Sequence, residues 1–185
     1  MSFKERWIGF LAGTAHGSRK ARALLAPLGA LAFFALTSLF VIVPLLLERW
    51  LGLPKLPAWP MNVVIAVPLL LVGAVLVGWC NFHFVRAKGT PVPLDPPKRL
   101  VDAGPYAYCR NPMLTGLFAV LFGVGALASS PLTIFVFAPL YVALHVIELK
   151  QIEEPELERR LGQPYVDYKA RVPMFVPRLG GSNAG

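Results

Sequence analysis

The sequence predicts an all-α integral membrane protein with about four transmembrane helices, the last two forming a helical hairpin. Three observations predict it. Hydrophobic residues make up 56% of the 185-residue chain and charged residues only 15%, against roughly 25% charged in an ordinary soluble domain. The apolar residues fall in long uncharged runs rather than in helical or strand-like alternation. The basic residues are gathered into the segments between alternate runs.

Each element follows from its own stretch of chain. Residues 1–22 are basic, with Phe3, Trp7, Ile8, Phe10 and Leu11 interspersed. They read either as an interfacial amphipathic helix or as a frayed cytoplasmic segment. Residues 23–47 carry no charge, and a span needs about 20 residues. This run is too long and starts too late for the core of a cleavable signal. A turn-rich connector with Gly52, Pro54, Pro57 and Pro60 follows. The second span is expected over 61–80, with Pro68 inside it, so that 23–80 holds the first two spans. Residues 81–111 are polar and basic and hold Pro91, Pro93, Pro96, Pro97 and Pro105, and connections of such length usually carry function. The uncharged run 111–147 is divided by Ser129-Ser130-Pro131, which predicts two helices of about 17 residues, each near the lower limit for crossing. The hairpin is thus 112–147. Residues 148–185 form a charged tail with a helix expected over 155–161, before Gly162. The whole is one membrane domain.

Charge sets the orientation. Five basic residues precede the first span (Lys4, Arg6, Arg19, Lys20, Arg22), and five lie in the long loop (Arg86, Lys88, Lys98, Arg99, Arg110). Six lie in the tail (Lys150, Arg159, Arg160, Lys169, Arg171, Arg178), but only Arg49 and Lys55 fall in the first connector. With four spans, sixteen of the eighteen share one side. The positive-inside rule makes that side cytoplasmic, so both termini and the loop are expected there, in a membrane of the bacterial inner type. The net charge of +8 is accounted for by topology and anionic headgroups, and no nucleic-acid partner is expected. Cys80 and Cys109 form no C-x-x-C pair and His16, His83 and His145 lie far apart, so no metal site is expected.

Two cytoplasmic segments could carry chemistry. One is Gly104-Pro105-Tyr106-Ala107-Tyr108-Cys109-Arg110-Asn111-Pro112, at the start of the third span. Pro112 suits a first helical turn and Asn111 an N-cap. Arg110 either binds an anion near the free N–H groups of that helix start or merely snorkels to headgroups. The other segment holds Glu148, Glu153 and Glu154. A hairpin returns them to the side of Arg110, where adjacent carboxylates call for a cation. They are also what a helix N-terminus favours for its dipole alone.

The ordered motifs G-P-Y-x-Y-x-R-N-P-M-x-x-G, E-E-P-E-L, G-x-x-Y-x-x-Y and V-P-x-F-x-P-R resemble those of the isoprenylcysteine carboxyl methyltransferase and phospholipid methyltransferase superfamily. The resemblance covers roughly residues 85–178, and the lead-in from Gly89-Thr90-Pro91 to Leu100-Val101 is similar to bacterial members. It implies S-adenosylmethionine as methyl donor, bound where the loop and tail form a cofactor site. The implied cofactor-binding residues are Tyr106, Arg110, Asn111, Pro112, Gly116, Glu153 and Glu154. Arg110 and Glu153 are the implied catalytic residues, and Tyr165, Tyr168, Val172-Pro173 and Pro177-Arg178 match the family's tail. Asn111 stands where a histidine is frequent, and Leu114 where a tyrosine is usual. The second departure keeps a non-catalytic lipid-binding or scaffold role as the alternative. The implied acceptor is lipophilic: a prenylated carboxylate, a lipid amine or another nucleophile. Methyl transfer from a sulfonium needs chiefly proximity and orientation, which agrees with the absence of a triad or metal cluster in the sequence.

Overall fold

The computed structural model describes residues 19–57, 59–86 and 100–176, with Glu5, Arg6 and Gly9; of residues 19–26 only the backbone course is described. The expectation of an amphipathic helix within 1–20, the lead-in motif at 89–99 and the Pro177-Arg178 match lie outside these residues, apart from those three positions. Every regular element among the described residues is helical.

Helix α1 (Arg19–Leu51) and helix α2 (Met61–Arg86) are the two long apolar rods. At 1.5 Å per residue they extend about 50 and 39 Å, more than the roughly 30 Å hydrocarbon core. Prolines at 27, 44 and 68 lie inside them, which a membrane helix tolerates where neighbours satisfy the freed carbonyls. Helix α2 runs to Arg86, six residues beyond the expected span. Residues 81–86, expected in the basic loop, are therefore helical. Arg86 is carried back over the Phe82 ring at 4.4 Å, so the helix continues by covering its charge.

Helix α3 (Pro112–Leu127) begins at the expected proline. Its C-terminus closes with Ser129 N donating to Ala126 O and Ser130 N to Gly125 O. This is the double closure that calls for a left-handed residue, and Ser129 supplies it with φ 52°. The chain then turns at Ser130 into a continuous helix. A π-helical turn (Thr133–Phe137) leads to α4 (Ala138–Glu148), a second π-helical turn (Leu149–Glu153) and α5 (Glu154–Leu161). Gly162, at φ 66°, breaks it before α6 (Gln163–Arg171). Residues 111–147 thus give one helix of 16 residues and the start of another that continues to Leu161. Three helices are long and apolar enough to cross a membrane: Pro27–Leu51, Met61–Arg86 and Thr133–Leu161. Helix α3 is a shorter apolar helix, about 24 Å long.

Helix α3 is central. It packs most closely on α2, where Gly73 faces Gly116 and Gly123 faces Leu70. Glycines at such a crossing let two backbones approach in the absence of a hydrophobic driving force. The other flank of α3 meets α4 and α1 in a core of Phe118, Leu121, Ala138 and Tyr141, with Phe40, Val41 and Leu114 around it. The Tyr141 hydroxyl and Thr37 Oγ1 lie 2.8 Å apart. The outward faces of α1 and α2 expose large apolar side chains such as Leu31, Phe34, Leu46, Leu71 and Val75. Such a surface is the one lipid covers.

The connections sort to two ends. At one, Leu56 N donates to Ser129 O and Asn62 Nδ2 to Leu127 O. There, Glu48 is fully withdrawn from solvent: its carboxylate accepts from Ser130 Oγ at 2.6 Å and Leu132 N at 2.8 Å, and pairs with Lys55 Nζ at 2.7 Å. At the opposite end lie Arg110, Glu154 and Pro173, and Gly9 lies beside the Arg159 guanidinium. The helices therefore run alternately up and down between these ends.

Candidate functional site

The second end holds the residues that the sequence singled out. Gly104, at φ 62°, turns the chain tightly against the His83 imidazole, which a side chain there would meet. A 3-10 turn (Gly104–Ala107) then buries Tyr106. The Tyr106 ring lies edge-on to Phe84 at 5.6 Å. Its carbonyl oxygen accepts from the Tyr168 hydroxyl at 2.7 Å, and its own hydroxyl bonds to Cys80. Burial pushes the Tyr106 hydroxyl far above the usual phenol range, so it remains a neutral donor.

Arg110 and Asn111 are held by their backbones. Arg110 N donates to Pro173 O at 2.8 Å and Asn111 N to Met174 O at 3.0 Å, so the tail pairs with the start of α3 like a short strand. Asn111 occupies the N-cap position, but its side chain does not cap the helix. Its amide instead donates to Met174 O at 3.3 Å, because the returning tail takes the space a capping amide would use. Pro112 is at the first turn and buried. Thr115, through N and Oγ1 at 3.0 Å each, donates to the Asn111 carbonyl and satisfies the helix start.

Arg110 does not snorkel. Its side chain is 11% exposed and Nη1 donates to Glu154 Oε1 at 2.7 Å. The other Glu154 oxygen takes Lys169 Nζ at 2.7 Å, and Lys169 also reaches Glu158 at 2.9 Å. These carboxylates, Glu154 first, hold the Lys169 ammonium above its ordinary value. The predicted return of the glutamates to Arg110 is therefore met by Glu154. Arg110 Nε is buried and has no hydrogen-bond partner among the described residues. Glu153 accepts no hydrogen bond from any described residue; its carboxyl lies within electrostatic reach of Glu148, Glu156, Arg160 and Glu154. It also acts on the hydroxyls of Tyr106 and Tyr165. Glu156 is taken by Arg160, Nε to Oε1 at 2.6 Å. Tyr165 and Tyr168 are buried with their rings 6.2 Å apart, and burial raises both hydroxyls.

The structure thus gathers Tyr106, Arg110, Asn111, Glu153 and Glu154 beneath the Tyr165–Tyr168 pair. Gly116 is placed otherwise, with its α-carbon packed against Gly73, Leu76 and Val77 of α2. Leu114 faces the core around Phe118 and Tyr141. Lys169 was read only as one of the tail's basic residues and Pro173 only as part of its motif; their contacts with Glu154 and Arg110 come from folding of the tail, and no local spacing announces them.

Known proteins are similar to this chain. The chain is 31% identical over 123 residues to a nickel-cobalt-cadmium resistance protein, NccN, of Alcaligenes xylosoxydans xylosoxydans, covering 65% of this chain and 53% of that one. It is 35% identical over 86 residues to the protein-S-isoprenylcysteine O-methyltransferase of Rattus norvegicus, covering 46% of this chain and 30% of the relative. It is 28% identical over 156 residues to methanethiol S-methyltransferase 2 of Bradyrhizobium diazoefficiens, covering 75% and 56%. The chain therefore spans between about a third and a little over half of these relatives' lengths. No solved structure matches. The family model for phospholipid methyltransferases matches residues 61–164, from the first turn of α2 through the Glu153-Glu154 pair, which is more than half the chain. By that match, this chain belongs to the phospholipid methyltransferase family of membrane proteins.

Proposed function

We propose that the chain is an S-adenosylmethionine-dependent methyltransferase that acts on a lipophilic acceptor at the cytoplasmic boundary of a bacterial inner membrane, with four crossings and both termini cytoplasmic. One observation carries the reading. Arg110 is buried in an ion pair with Glu154 and still presents an Nε that no described residue meets, beside a Glu153 carboxyl that no described residue bonds. Leaving a buried charged donor unmet costs about 1–3 kcal/mol or more, and a fold keeps such a group where a ligand completes it.

The residues fit the donor's amino-acid end. Arg110 Nε is placed to receive a carboxylate in a charge-assisted bond, and the Glu153 carboxyl to receive an ammonium. Tyr106, Tyr165 and Tyr168 supply buried rings and neutral hydroxyls. The bound donor would supply an already activated methyl group on a positively charged sulfur. The chain's own part is orientation and exclusion of water. Glu154, fixed between Arg110 and Lys169, holds the guanidinium plane, while the strand-like contact of Pro173 and Met174 closes the site against solvent. Apolar helices below admit an acceptor from lipid.

The test is titration of S-adenosylmethionine into the detergent-solubilised protein, followed by transfer of a labelled methyl group to total membrane lipids and thiols. Binding with transfer is the expected result. A folded protein that binds no donor would leave the lipid-binding or scaffold reading in its place.

A further inference from the structure

Glu148 ends α4, where the apolar run gives way to the charged tail. Its side chain is half-buried, and no hydrogen bond or ion pair reaches it among the described residues. The nearby cations are engaged elsewhere: Arg110 by Glu154, Lys169 by Glu154 and Glu158, Arg160 by Glu156. A carboxylate drawn from water without a cation is costly. In a membrane protein it marks function by default.

The backbone below Glu148 sharpens the point. Leu149–Glu153 is a π-helical turn, whose bonds close five residues apart. In an α-helix, residues 148 and 153 would stand about 140° apart around the axis. The wider turn brings them toward one face, and Glu148 is the foremost charge acting on Glu153. Three residues deeper on that face is His145, walled by Tyr141 at 4.5 Å, Phe33 at 6.0 Å and Phe118 at 6.1 Å. Phe175 of the tail rests on Phe118 at 5.5 Å. From the donor-binding carboxylate toward lipid, the order is Glu153, Glu148, His145, then aromatic rings from α1, α3 and α4.

We propose that Glu148 takes the proton of the methyl acceptor, and that this acceptor is an uncharged lipophilic thiol arriving from the lipid side past His145. The proposal rests on the methyltransferase reading above. The acceptor's S–H bond breaks and its proton passes to the Glu148 carboxylate. The acceptor's S–CH3 bond forms as the methyl–sulfonium bond breaks, and the electron pair of that bond stays with the donor sulfur, which leaves as a neutral thioether. The negative charge of the carboxylate and the positive charge of the sulfonium disappear together, a change that a low-dielectric setting favours. A carboxylate acceptor would need no base and would meet Glu148 and Glu153 as like charges. An amine beside the same two groups would be held as an unreactive ammonium.

The experiment uses the full chain in detergent with labelled S-adenosylmethionine and four probes: 1-octanethiol, 4-nitrothiophenol (already ionised at neutral pH), octylamine and N-acetyl-S-farnesylcysteine. Wild type is expected to methylate both thiols. Glu148→Gln should lower turnover of octanethiol by roughly a hundredfold or more, the scale of general-base catalysis, while turnover of 4-nitrothiophenol stays within about threefold. Its donor affinity should not fall, because the variant removes a like charge from beside Glu153, and Glu148→Asp should recover part of the octanethiol rate. Equal loss on both thiols, or octanethiol turnover retained in Glu148→Gln, overturns the proposal. So does a wild type that methylates only the amine or the farnesylcysteine, and in that case the methyltransferase reading stands. A wild type that binds no donor defeats that reading itself.

Discussion

Removing the charge of Glu154 would strand the Arg110 guanidinium, which is only 11% exposed, and would release Lys169 from one of its two carboxylates. Breaking a buried pair from one side costs about 3–5 kcal/mol. Glu154→Gln is therefore expected to lower the unfolding midpoint in detergent sharply, and donor affinity with it. Its neighbour should behave differently. Glu153 has no hydrogen-bonded partner among the described residues, so Glu153→Gln is expected to leave the midpoint unchanged or raised. Loss of its charge-assisted bond should weaken S-adenosylmethionine binding by about 1.5–3 kcal/mol. Thermal unfolding and isothermal titration of both variants separate the two roles; a destabilised Glu153→Gln with normal affinity would reverse the assignment. The sequence raised the expectation that the glutamates return to Arg110, and Glu154 meets it. Which one takes the arginine depends on the π-helical turn before them, and nothing in the residues 149–153 marks such a turn.

At the level of helices, the glycines divide by what surrounds them. A β-carbon on Gly73 would stand 2.6 Å from Gly116 O and 2.6 Å from Val120 Cγ2, and one of these contacts is backbone. Gly73→Ala is expected to push α2 from α3 at a cost of about 1–3 kcal/mol. Gly78, five residues on, meets nothing within 4 Å, so Gly78→Ala should be neutral or gain up to about 1 kcal/mol. Ser129 gives a change in the other direction. It holds φ 52° at the end of α3, a conformation glycine adopts without penalty. Ser129→Gly should stabilise by about 0.5–1 kcal/mol, read as a higher unfolding midpoint. The sequence placed the turn at Ser129-Ser130 through the following proline. It gave no sign that Glu48, eighty-two residues earlier, would accept the hydroxyl proton of Ser130, because that bond joins distant elements and has no local period.

For the molecule as a whole, the two ends make different demands. One is closed by Glu48, Lys55 and Ser130; the other carries Arg110, Lys169 and the carboxylates they pair with. Pro57 and Gln163 are exposed at opposite ends, and both native cysteines are buried, so the background for thiol labelling is low. Cysteines introduced at these two positions are expected to react with an impermeant maleimide from opposite faces of the membrane, Gln163→Cys from the cytoplasmic one. Labelling of both from one face would sink the four-crossing arrangement. The long spans and their alternation were readable from charge and run length. So was the shortness of α3, through Ser129-Ser130-Pro131; the continuation of the last helix past Glu148 to Leu161 was not, since a charge marks the end of an apolar run but not the end of a helix.

The pairing of Arg110 and Asn111 with Pro173 and Met174 bears on how the protein is made. Ribosomes release a chain from its amino end, so residues 110 and 111 emerge some sixty positions before the carbonyls that will hold them. Through that interval the helices can insert while Arg110 still lacks its backbone anchor, and for the earlier part of it, until residue 154 emerges, Glu154 as well. Assembly in the membrane and the gain of chemical competence are thus separate events in time, with Phe175 settling onto Phe118 as the last stroke. A nascent chain that stalls short of Pro173 would leave an inserted protein whose Arg110 and Asn111 lack their backbone partners.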